Sequence, residues 1–266
     1  MTSFATTSTG TRIAYFEAGR PWRPALILAH SLGSDHQMWA PQVEALKSQY
    51  SLIAIDNIGH GDSSVPAGDY TVADFAEAVI AVADAAELER FHYCGLSVGG
   101  ITGLLVAAQH PDRLLSLTLC NTGATIGSSE LWSQRIDVAR SQGMEPLVDG
   151  VIARWFSADF PEREPQLLAQ ARSTLLATDP AGYAGVCAAL RDADLTDSVP
   201  SISTPTLVIG GLADQAAPIE QSMAARQHRR QPPHRARRRP PQQPGPRRRV
   251  HERPDPVPHR DHPVGR

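Results

Sequence analysis

The stretch Gly95–Gly99 (GLSVG) has the pattern G-x-S-x-G, which can hold a nucleophilic serine. A serine that attacks a carbonyl must sit on a sharp, strained turn so that its oxygen clears the sheet. The two glycines let the strand before Ser97 and the helix after it approach closely. The backbone N–H of Val98 and the N-terminus of that helix then face a developing oxyanion. A tight glycine turn with a capping serine has the same pattern, so the prediction needs supporting elements.

A second oxyanion donor is expected in the stretch His30–Gly33 (HSLG), which follows an earlier apolar run. The N–H of Leu32 is the expected donor, because the loop after such a strand supplies one in folds of this type. A plain glycine turn is the alternative. The next apolar run is followed by Asp56–Gly61 (DNIGHG), for which we expect a structural turn. His60 in that turn is expected to be packed or hydrogen-bonded rather than a base.

A candidate acid follows the last apolar run, in the stretch Gly210–Asp214 (GGLAD). A carboxylate there can orient a catalytic histidine, fix its tautomer and stabilise the imidazolium. The other position that such an acid can take, after the preceding apolar run, holds Asn121. Asp214 is therefore the predicted acid, and a solvated loop aspartate is the alternative.

The elements that must position these residues follow from the apolar pattern. Five short apolar runs predict strands: Ala25–Ala29, Ser51–Ile55, Phe91–Cys94, Leu115–Cys120 and Thr206–Ile209. Helical patterns fall between them at Thr71–Glu87, with Thr71 as N-cap, and at Ser97–His110. Runs that are apolar on both faces suit parallel strands covered by helices. The alternation predicts an α/β fold with a mostly parallel sheet and helices on both faces.

The alternation stops between about Thr122 and Pro200, where the pattern predicts several helices and no strand. We interpret this region as a helical cap inserted after one strand. The expected organisation is a core of residues 1–121 and 201–226, a cap of residues 122–200, and a tail of residues 227–266.

Charge separates that tail from the rest of the chain. Residues 1–226 hold 13 Lys and Arg against 25 Asp and Glu, a net charge of −12. Residues 227–266 hold 12 Arg against three acids, a net charge of +9, together with 10 of the 22 prolines. The first part suits an acidic soluble enzyme, whereas the composition of the tail alone is typical of disorder.

Localisation follows from three further features. The N-terminus lacks the basic and apolar regions of a secretory signal, and no apolar run is long enough to span a membrane. Three cysteines without a CxxC motif indicate a reducing compartment, so we expect a cytoplasmic protein without a disulfide framework.

Several stretches resemble a known family. The order Ser97, then Asp214, is that of α/β-hydrolases, in which a histidine should follow. More narrowly, the chain resembles the 3-oxoadipate enol-lactonases of aromatic catabolism (the β-ketoadipate pathway) over about residues 8–226. The matching stretches are HSLGSDHQMW (30–39), GHGDSS (59–64), HYCGLSVGG (92–100), NTGATIGSSELWSQRI (121–136) and ATDPAGYAGVCAALRDADL (177–195). The cap stretches are the specific ones, and Ile58 stands where the family commonly has an arginine.

The resemblance implies an α/β-hydrolase fold and hydrolysis of a small enol-lactone that bears a carboxylate. Ser97 would form an acyl-enzyme that water cleaves, and neither a metal nor an organic cofactor is implied. The substrate carboxylate needs cations or N–H donors. Arg135 in the cap, beside Trp132, is the first candidate and Arg191 the second. A solvated helix face is the alternative for each arginine.

The catalytic histidine is missing where the family motif places it. That motif puts the base roughly 27 residues after the acid, which here falls on Pro240–Pro241. Codons for Arg238–Gly245 (RRPPQQPG), read one base later, permit Ala-Ala-His-Leu-Ser-Asn-Leu, which is like the family's histidine loop. Upstream the same frame permits a connection and a strand, and downstream an amphipathic helix. We therefore interpret residues 227–266 as out-of-frame translation, with the slip near Arg226 and the last strand and helix lost.

Competing interpretations remain open at this point. A related carboxylesterase or carbon–carbon hydrolase would share the motif, and turnover of the enol-lactone against simple esters separates them. Epoxide hydrolases and haloalkane dehalogenases use an aspartate nucleophile, so Ser97 argues against both. An inactive, poorly folded product is a third possibility. A nucleic-acid arm made of the +9 tail is a fourth, but the tail lacks lysine and interleaved aromatics, so we expect neither nucleic-acid nor membrane binding. The oligomeric state stays open.

Overall fold

Seven strands form one sheet in the order β1-β2-β4-β3-β5-β6-β7. The structure is a computed structural model that describes residues 2–212 together with Asp214 and Ala217. The strands are β1 Thr2–Thr6, β2 Arg12–Gly19, β3 Ala25–Ala29, β4 Ser51–Ile55, β5 Phe91–Leu96, β6 Leu114–Cys120 and β7 Thr206–Ile209. All five strands predicted from apolar runs are present, and β3 to β7 pair in parallel. The mostly parallel sheet is confirmed.

The first two strands were not predicted from the sequence. β1 pairs antiparallel with β2, and β2 pairs antiparallel with β4. They form the margin of the sheet, where one face meets solvent and the apolar run is broken by exposed residues. A search for continuous apolar runs misses strands of this kind.

Helices cover both faces of the sheet. α2 Val72–Ala85 and α3 Val98–Gln109 bury the larger apolar cluster on one face. Thr71 caps α2 as predicted, since its hydroxyl accepts the Asp74 N–H while the Asp74 carboxylate accepts the Thr71 N–H. The short helix α1 Ala40–Leu46 packs on the opposite face.

Five helices lie between β6 and β7, and no strand occurs in this segment of the described chain. They are α4 Ser129–Gln142, α5 Glu145–Trp155, α6 Phe160–Arg163, α7 Pro165–Ala177 and α8 Pro180–Asp192. α8 is buried along most of its length and meets the loop after β4, where a Cβ on Gly59 would lie 2.7 Å from the Gly182 Cα. The segment is therefore packed directly on the loops at the carboxyl ends of the strands.

The sheet face that carries α1 is open at its β6–β7 end. The apolar cluster around α1 reaches Cys94 and Leu96 of β5 only as half-buried neighbours. Further along, Leu207 is 57% exposed and Ile209 is 48% exposed. Within residues 2–212, β7 pairs only with β6 and no helix covers these side chains. An exposed apolar strand of this kind normally requires a covering element.

Two further observations concern expectations from composition. All three cysteines are free thiols, although the sulfur atoms of Cys94 and Cys120 lie 3.9 Å apart across β5 and β6. No helix in the described part of the chain is long and apolar enough to cross a membrane.

Candidate active site

Ser97 sits on a strained turn between β5 and α3. Its backbone has φ 55° and ψ −114°, a conformation that costs energy for any residue with a Cβ. Two glycines allow the turn to close. A Cβ on Gly95 would lie 2.2 Å from the Gly99 carbonyl oxygen, and a Cβ on Gly99 would lie 2.3 Å from the Ala29 carbonyl oxygen. The spacing of G-x-S-x-G is therefore a steric requirement of this turn.

Hydrogen bonds from the end of β6 hold the Ser97 backbone. The Ser97 N–H donates to the Cys120 carbonyl at 3.0 Å, and the Thr122 hydroxyl donates to the Ser97 carbonyl at 2.8 Å. Val98 then begins α3, so its N–H is among the helix N-terminal donors that lack a partner in the helix. This places a donor and the positive end of the helix beside the serine.

The loop after β3 lies against Ser97. Ser31, Leu32 and Ser97 line the same cavity, so the structure brings together the predicted nucleophile and the residue predicted to donate the second N–H. Gly33 has φ 71°, and a Cβ on it would lie 2.5 Å from Leu175 of α7. The loop is therefore held between the sheet and the helices that lie between β6 and β7.

Two buried histidines connect this loop to the loop after β4. The Gly33 N–H donates to His60 Nε2 at 2.8 Å, and the Asn57 N–H donates to His30 Nε2 at 2.8 Å. His30 Nδ1 donates to the Ser31 carbonyl at 2.6 Å. Burial lowers the pKa of both histidines, that of His60 to about 3, so both rings are neutral at pH 7. His60 is thus a hydrogen-bonded structural histidine, in agreement with the role expected for it.

Asp56 also joins the loops after β3 and β4 through hydrogen bonds. Its Oδ1 accepts hydrogen bonds from the backbone N–H and Nδ1 of His36, and its Oδ2 accepts the Asp62 N–H. Burial by itself would raise the Asp56 pKa, but these hydrogen bonds and the nearby His30 ring outweigh burial and lower the pKa. A Cβ on Gly61 would collide with this carboxylate, so only glycine fits there.

Asp214 lies at the carboxyl end of the sheet and is held by the residue that follows β6. Asn121 Nδ2 donates to Asp214 Oδ2 at 2.5 Å, and the Ala217 N–H donates to Asp214 Oδ1 at 3.1 Å. Asn121 has φ 47°, a left-handed conformation that asparagine tolerates better than most residues. The carboxylate therefore has a fixed orientation before any histidine is considered.

Ser97 lines a cavity at the carboxyl end of the sheet. Besides Ser31, Leu32 and Ser97, its walls come from the segment between β6 and the end of α5. These walls are formed by Ile126, Leu131, Trp132, Arg135, Val151, Arg154 and Trp155. Two cations and a mainly apolar surface thus face the serine, a combination that suits a small anion with a short carbon chain.

Arg135 has a defined position in this wall. Its guanidinium carbon lies 5.2 Å from the centre of the Trp132 ring, within range of a cation–π contact, and Nη1 donates to the Tyr183 hydroxyl at 3.3 Å. Trp132 itself is buried, with Nε1 donating to the Ile126 carbonyl at 2.6 Å. Burial raises the pKa of Tyr183, so its hydroxyl stays protonated beside the arginine.

Arg191, the other arginine suggested from the sequence, is not brought to this cavity. Its guanidinium pairs with Asp69 at 3.2 Å and with Asp192 at 2.7 Å, so acidic neighbours already satisfy its charge. Ile58, which departs from the family pattern, is buried in the main apolar cluster. An arginine there would need a charged partner or a path to solvent.

Sequence reasoning missed three residues of the site: Asn121, Arg154 and Trp155. Asn121 was considered only as the position that lacks an acid. Arg154 and Trp155 end α5, and the available signal was the helical spacing of Val148, Val151 and Trp155, which identifies the face that α5 turns inward.

The catalytic base is the remaining requirement. Within the described residues, no hydrogen bond joins a histidine to the Ser97 hydroxyl, and the position Pro240–Pro241 lies outside the described residues. No cluster of three or more His, Cys, Asp or Glu side chains that could hold a metal ion occurs in the described part of the chain.

The fold and the serine turn define a class of protein that comparison with known proteins confirms. The chain belongs to the alpha/beta hydrolase fold family, whose sequence profile matches residues 24–242. It is 38% identical over 205 residues to 3-oxoadipate enol-lactonase 1 of Acinetobacter baylyi, covering 77% of each chain. It is 34% identical over 214 residues to 3-oxoadipate enol-lactonase 2 of the same organism, covering 80% of each chain.

A solved structure gives the same result. The crystal structure of the enol-lactonase from Burkholderia xenovorans LB400 matches with a TM-score of 0.82 and 42% identity, covering 84% of this chain and 86% of that one. The resemblance to 3-oxoadipate enol-lactonases seen in the sequence is therefore confirmed.

Proposed function

We propose that the site opens 3-oxoadipate enol-lactone, a small lactone that bears a carboxylate, with Ser97 as the nucleophile. By family the chain is a carboxylic ester or lactone hydrolase. One observation carries the proposal: Ser97, on its strained turn, shares a single cavity with Leu32, Arg135 and Arg154. The proposed substrate is taken from the names of two relatives, the 3-oxoadipate enol-lactonases 1 and 2 of Acinetobacter baylyi.

In the first half of the reaction, Ser97 Oγ attacks the lactone carbonyl carbon while a histidine accepts its proton. The N–H groups of Leu32 and Val98 hold the oxyanion of the tetrahedral intermediate. Collapse breaks the acyl C–O bond, the histidine gives its proton to the ring oxygen that leaves as an enolate, and the resulting enol tautomerises to the ketone. Because the bond lies in a ring, the whole carbon chain stays attached to Ser97 as the acyl-enzyme.

In the second half, the same histidine takes a proton from water, whose oxygen attacks the acyl carbon. The C–O bond to Ser97 breaks, the serine regains its proton, and a keto-dicarboxylate is released. No metal or organic cofactor takes part. Arg135, oriented by Trp132 and Tyr183, binds the carboxylate that the substrate carries from the start.

The mechanism needs a histidine beside Asp214, and we propose that the gene encodes one in the reading frame one base later. The Asn121–Asp214 hydrogen bond supports this, because it orients the Asp214 carboxylate after β7. The match to the family profile continues past Arg226 to residue 242, so the profile does not identify the position of the frameshift. Sequencing the gene across codons 220–245 locates it.

The open end of the sheet supports the same proposal. Leu207 and Ile209 of β7 project an apolar surface to solvent, and the shifted frame permits a strand followed by an amphipathic helix. A helix with one apolar face is the element that would bury these side chains. The proposed setting is aromatic catabolism in the cytoplasm.

The test compares the chain as written with a frame-corrected chain, using 3-oxoadipate enol-lactone and p-nitrophenyl acetate as substrates. We expect the corrected chain to open the lactone and the chain as written to have a kcat about 10⁵ to 10⁶ lower. Ser97→Ala in the corrected chain should show a similar loss. A corrected chain that cleaves the acetate but not the lactone would refute the substrate, and equal activity of the two chains would refute the frame proposal.

A further inference from the structure

The loops that follow β3 and β4 exchange backbone hydrogen bonds through histidines. The Asn57 N–H of the β4 loop donates to His30 Nε2 of the β3 loop, and the Gly33 N–H of the β3 loop donates to His60 Nε2 of the β4 loop. Both hydrogen bonds are 2.8 Å long, and each joins residues 27 positions apart. The two rings lie with their centres 5.5 Å apart.

The geometry fixes the state of both rings. Each Nε2 accepts a hydrogen bond, so each ring must be neutral with its proton on Nδ1. His30 Nδ1 donates to the Ser31 carbonyl at 2.6 Å, while His60 Nδ1 lies 3.4 Å from the Ile58 carbonyl. Neither ring has access to solvent, since His30 is 0% and His60 is 2% exposed.

These hydrogen bonds act on the two peptide planes that flank Leu32. The Ser31 carbonyl and the Leu32 N–H belong to one trans peptide unit, so they point in opposite directions. His30, by holding the carbonyl, sets the direction of that N–H. The next peptide unit ends in the Gly33 N–H, which His60 holds. Leu32 is therefore anchored on both sides by a histidine.

We propose that His60 is a positioning residue that holds the Gly33 peptide and thereby keeps the Leu32 N–H aimed at the oxyanion. The inference rests on the proposed function only in taking Ser97 as the nucleophile that faces Leu32. His60 touches neither the serine nor the reacting atoms, so its effect is confined to the orientation of the loop. Ground-state ligands, which do not place an oxyanion there, should not sense it.

The hydrogen bond itself can be observed in the unaltered chain. In protein labelled with ¹⁵N, an N–H···N hydrogen bond produces a scalar coupling between the Gly33 amide nitrogen and His60 Nε2. We expect that coupling, together with a Gly33 amide proton shifted downfield. Absence of the coupling would overturn the proposal without any substitution, whether or not His60 variants fold.

The functional part uses two ligands of similar shape. In n-butylboronic acid, the boron atom accepts Ser97 Oγ. One B–O bond forms, the boronate becomes tetrahedral, and the serine proton passes to solvent. A boron-bound oxygen then occupies the oxyanion position. Pentanoate forms no such bond. His60→Ala should raise the Kd of the boronic acid about 10- to 100-fold and leave that of pentanoate within about twofold. His60→Gln, whose side-chain oxygen can accept the Gly33 N–H, should recover part of the loss.

His92→Ala is the matched control, since His92 is a half-buried histidine on β5 that contacts Ser116 and not the loop. It should leave both Kd values unchanged. Equal losses for both ligands in His60→Ala, or no loss for either, would reject the positioning role. If the frame-corrected chain binds the boronic acid but leaves the lactone intact, the proposed function fails and this inference stands. If it binds the boronic acid no better than pentanoate, Leu32 is not an oxyanion donor and both fail.

Discussion

Asn121 Nδ2 donates a hydrogen bond to Asp214 Oδ2 at 2.5 Å, joining the residue after β6 to the loop after β7. The two strands are neighbours in parallel register, so their carboxyl ends meet at one edge of the sheet. The amide that replaces an acid at one position thus orients the acid at the other.

Removal of this hydrogen bond should slow acylation. Asn121→Gly deletes the amide while keeping a residue that tolerates φ 47°, so the backbone is not strained. In the frame-corrected chain we expect kcat for p-nitrophenyl acetate to fall about 10- to 100-fold, the value of one hydrogen bond to a charged group. Thr118→Ala, on the open face of β6, is the control and should have no effect. An unchanged kcat in Asn121→Gly would show that Asp214 does not depend on Asn121.

The arginines of the cavity should select anions. Arg135→Met should weaken binding of pentanoate about tenfold or more and spare pentanamide, because only the carboxylate uses the charge. Arg154→Met should act in the same direction. Titration followed by tryptophan fluorescence is suited to this test, since Trp132 and Trp155 line the cavity.

Arg172→Met provides the control for charge alone, because Arg172 pairs with Asp149 on the surface. It should change neither affinity. Equal weakening of pentanoate and pentanamide in Arg135→Met would mean that the side chain shapes the cavity without binding the anion.

Gly99→Ala should destabilise the fold. The new Cβ would lie 2.3 Å from the Ala29 carbonyl oxygen, so α3 would have to move away from β3. We expect a loss of about 2 kcal/mol or more in the free energy of unfolding, measured by urea denaturation. Gly150→Ala in α5 is the matched control, because beyond the neighbouring residues and the backbone of α5 itself nothing lies within 4 Å of its new Cβ. It should stabilise the protein by about 0.5–1 kcal/mol.

Stability should fall as the pH falls below about 6.5. His60 has its pKa lowered to about 3 in the folded state, and that of His30 is also lowered, whereas both titrate near 6.5 when unfolded. The unfolded chain therefore binds more protons between pH 6.5 and 3, which favours unfolding as the pH decreases. The charged form of His60 faces His30, which opposes protonation, and Asp56, which favours it.

Urea denaturation at several pH values between 7.5 and 5 measures this dependence. His60→Gln should reduce the slope by about one proton, or about 1.4 kcal/mol per pH unit at most. An identical slope in the variant would show that His60 contributes nothing to it.

Short-range patterns were enough to predict much of this protein. The five central strands, the helix capped by Thr71, the serine turn and the helical region after β6 are encoded by apolar spacing, capping residues and glycines within a few positions of each other. The family resemblance added the expected enol-lactone substrate. β1 and β2 were not predicted, because half-exposed strands at a sheet margin lack a continuous apolar run.

By itself, therefore, the sequence determined the α/β architecture and predicted Ser97 as the nucleophile. Only the tertiary structure decided that Arg135 and Arg154 share a cavity while Arg191 pairs with acids elsewhere, that Asn121 holds Asp214, and that His30 and His60 hold the peptides around Leu32. The physical reason is distance along the chain. The Gly33–His60, Asn121–Asp214 and Arg191–Asp69 contacts join residues 27, 93 and 122 positions apart, and packing of the sheet and helices, not local propensity, brings them together.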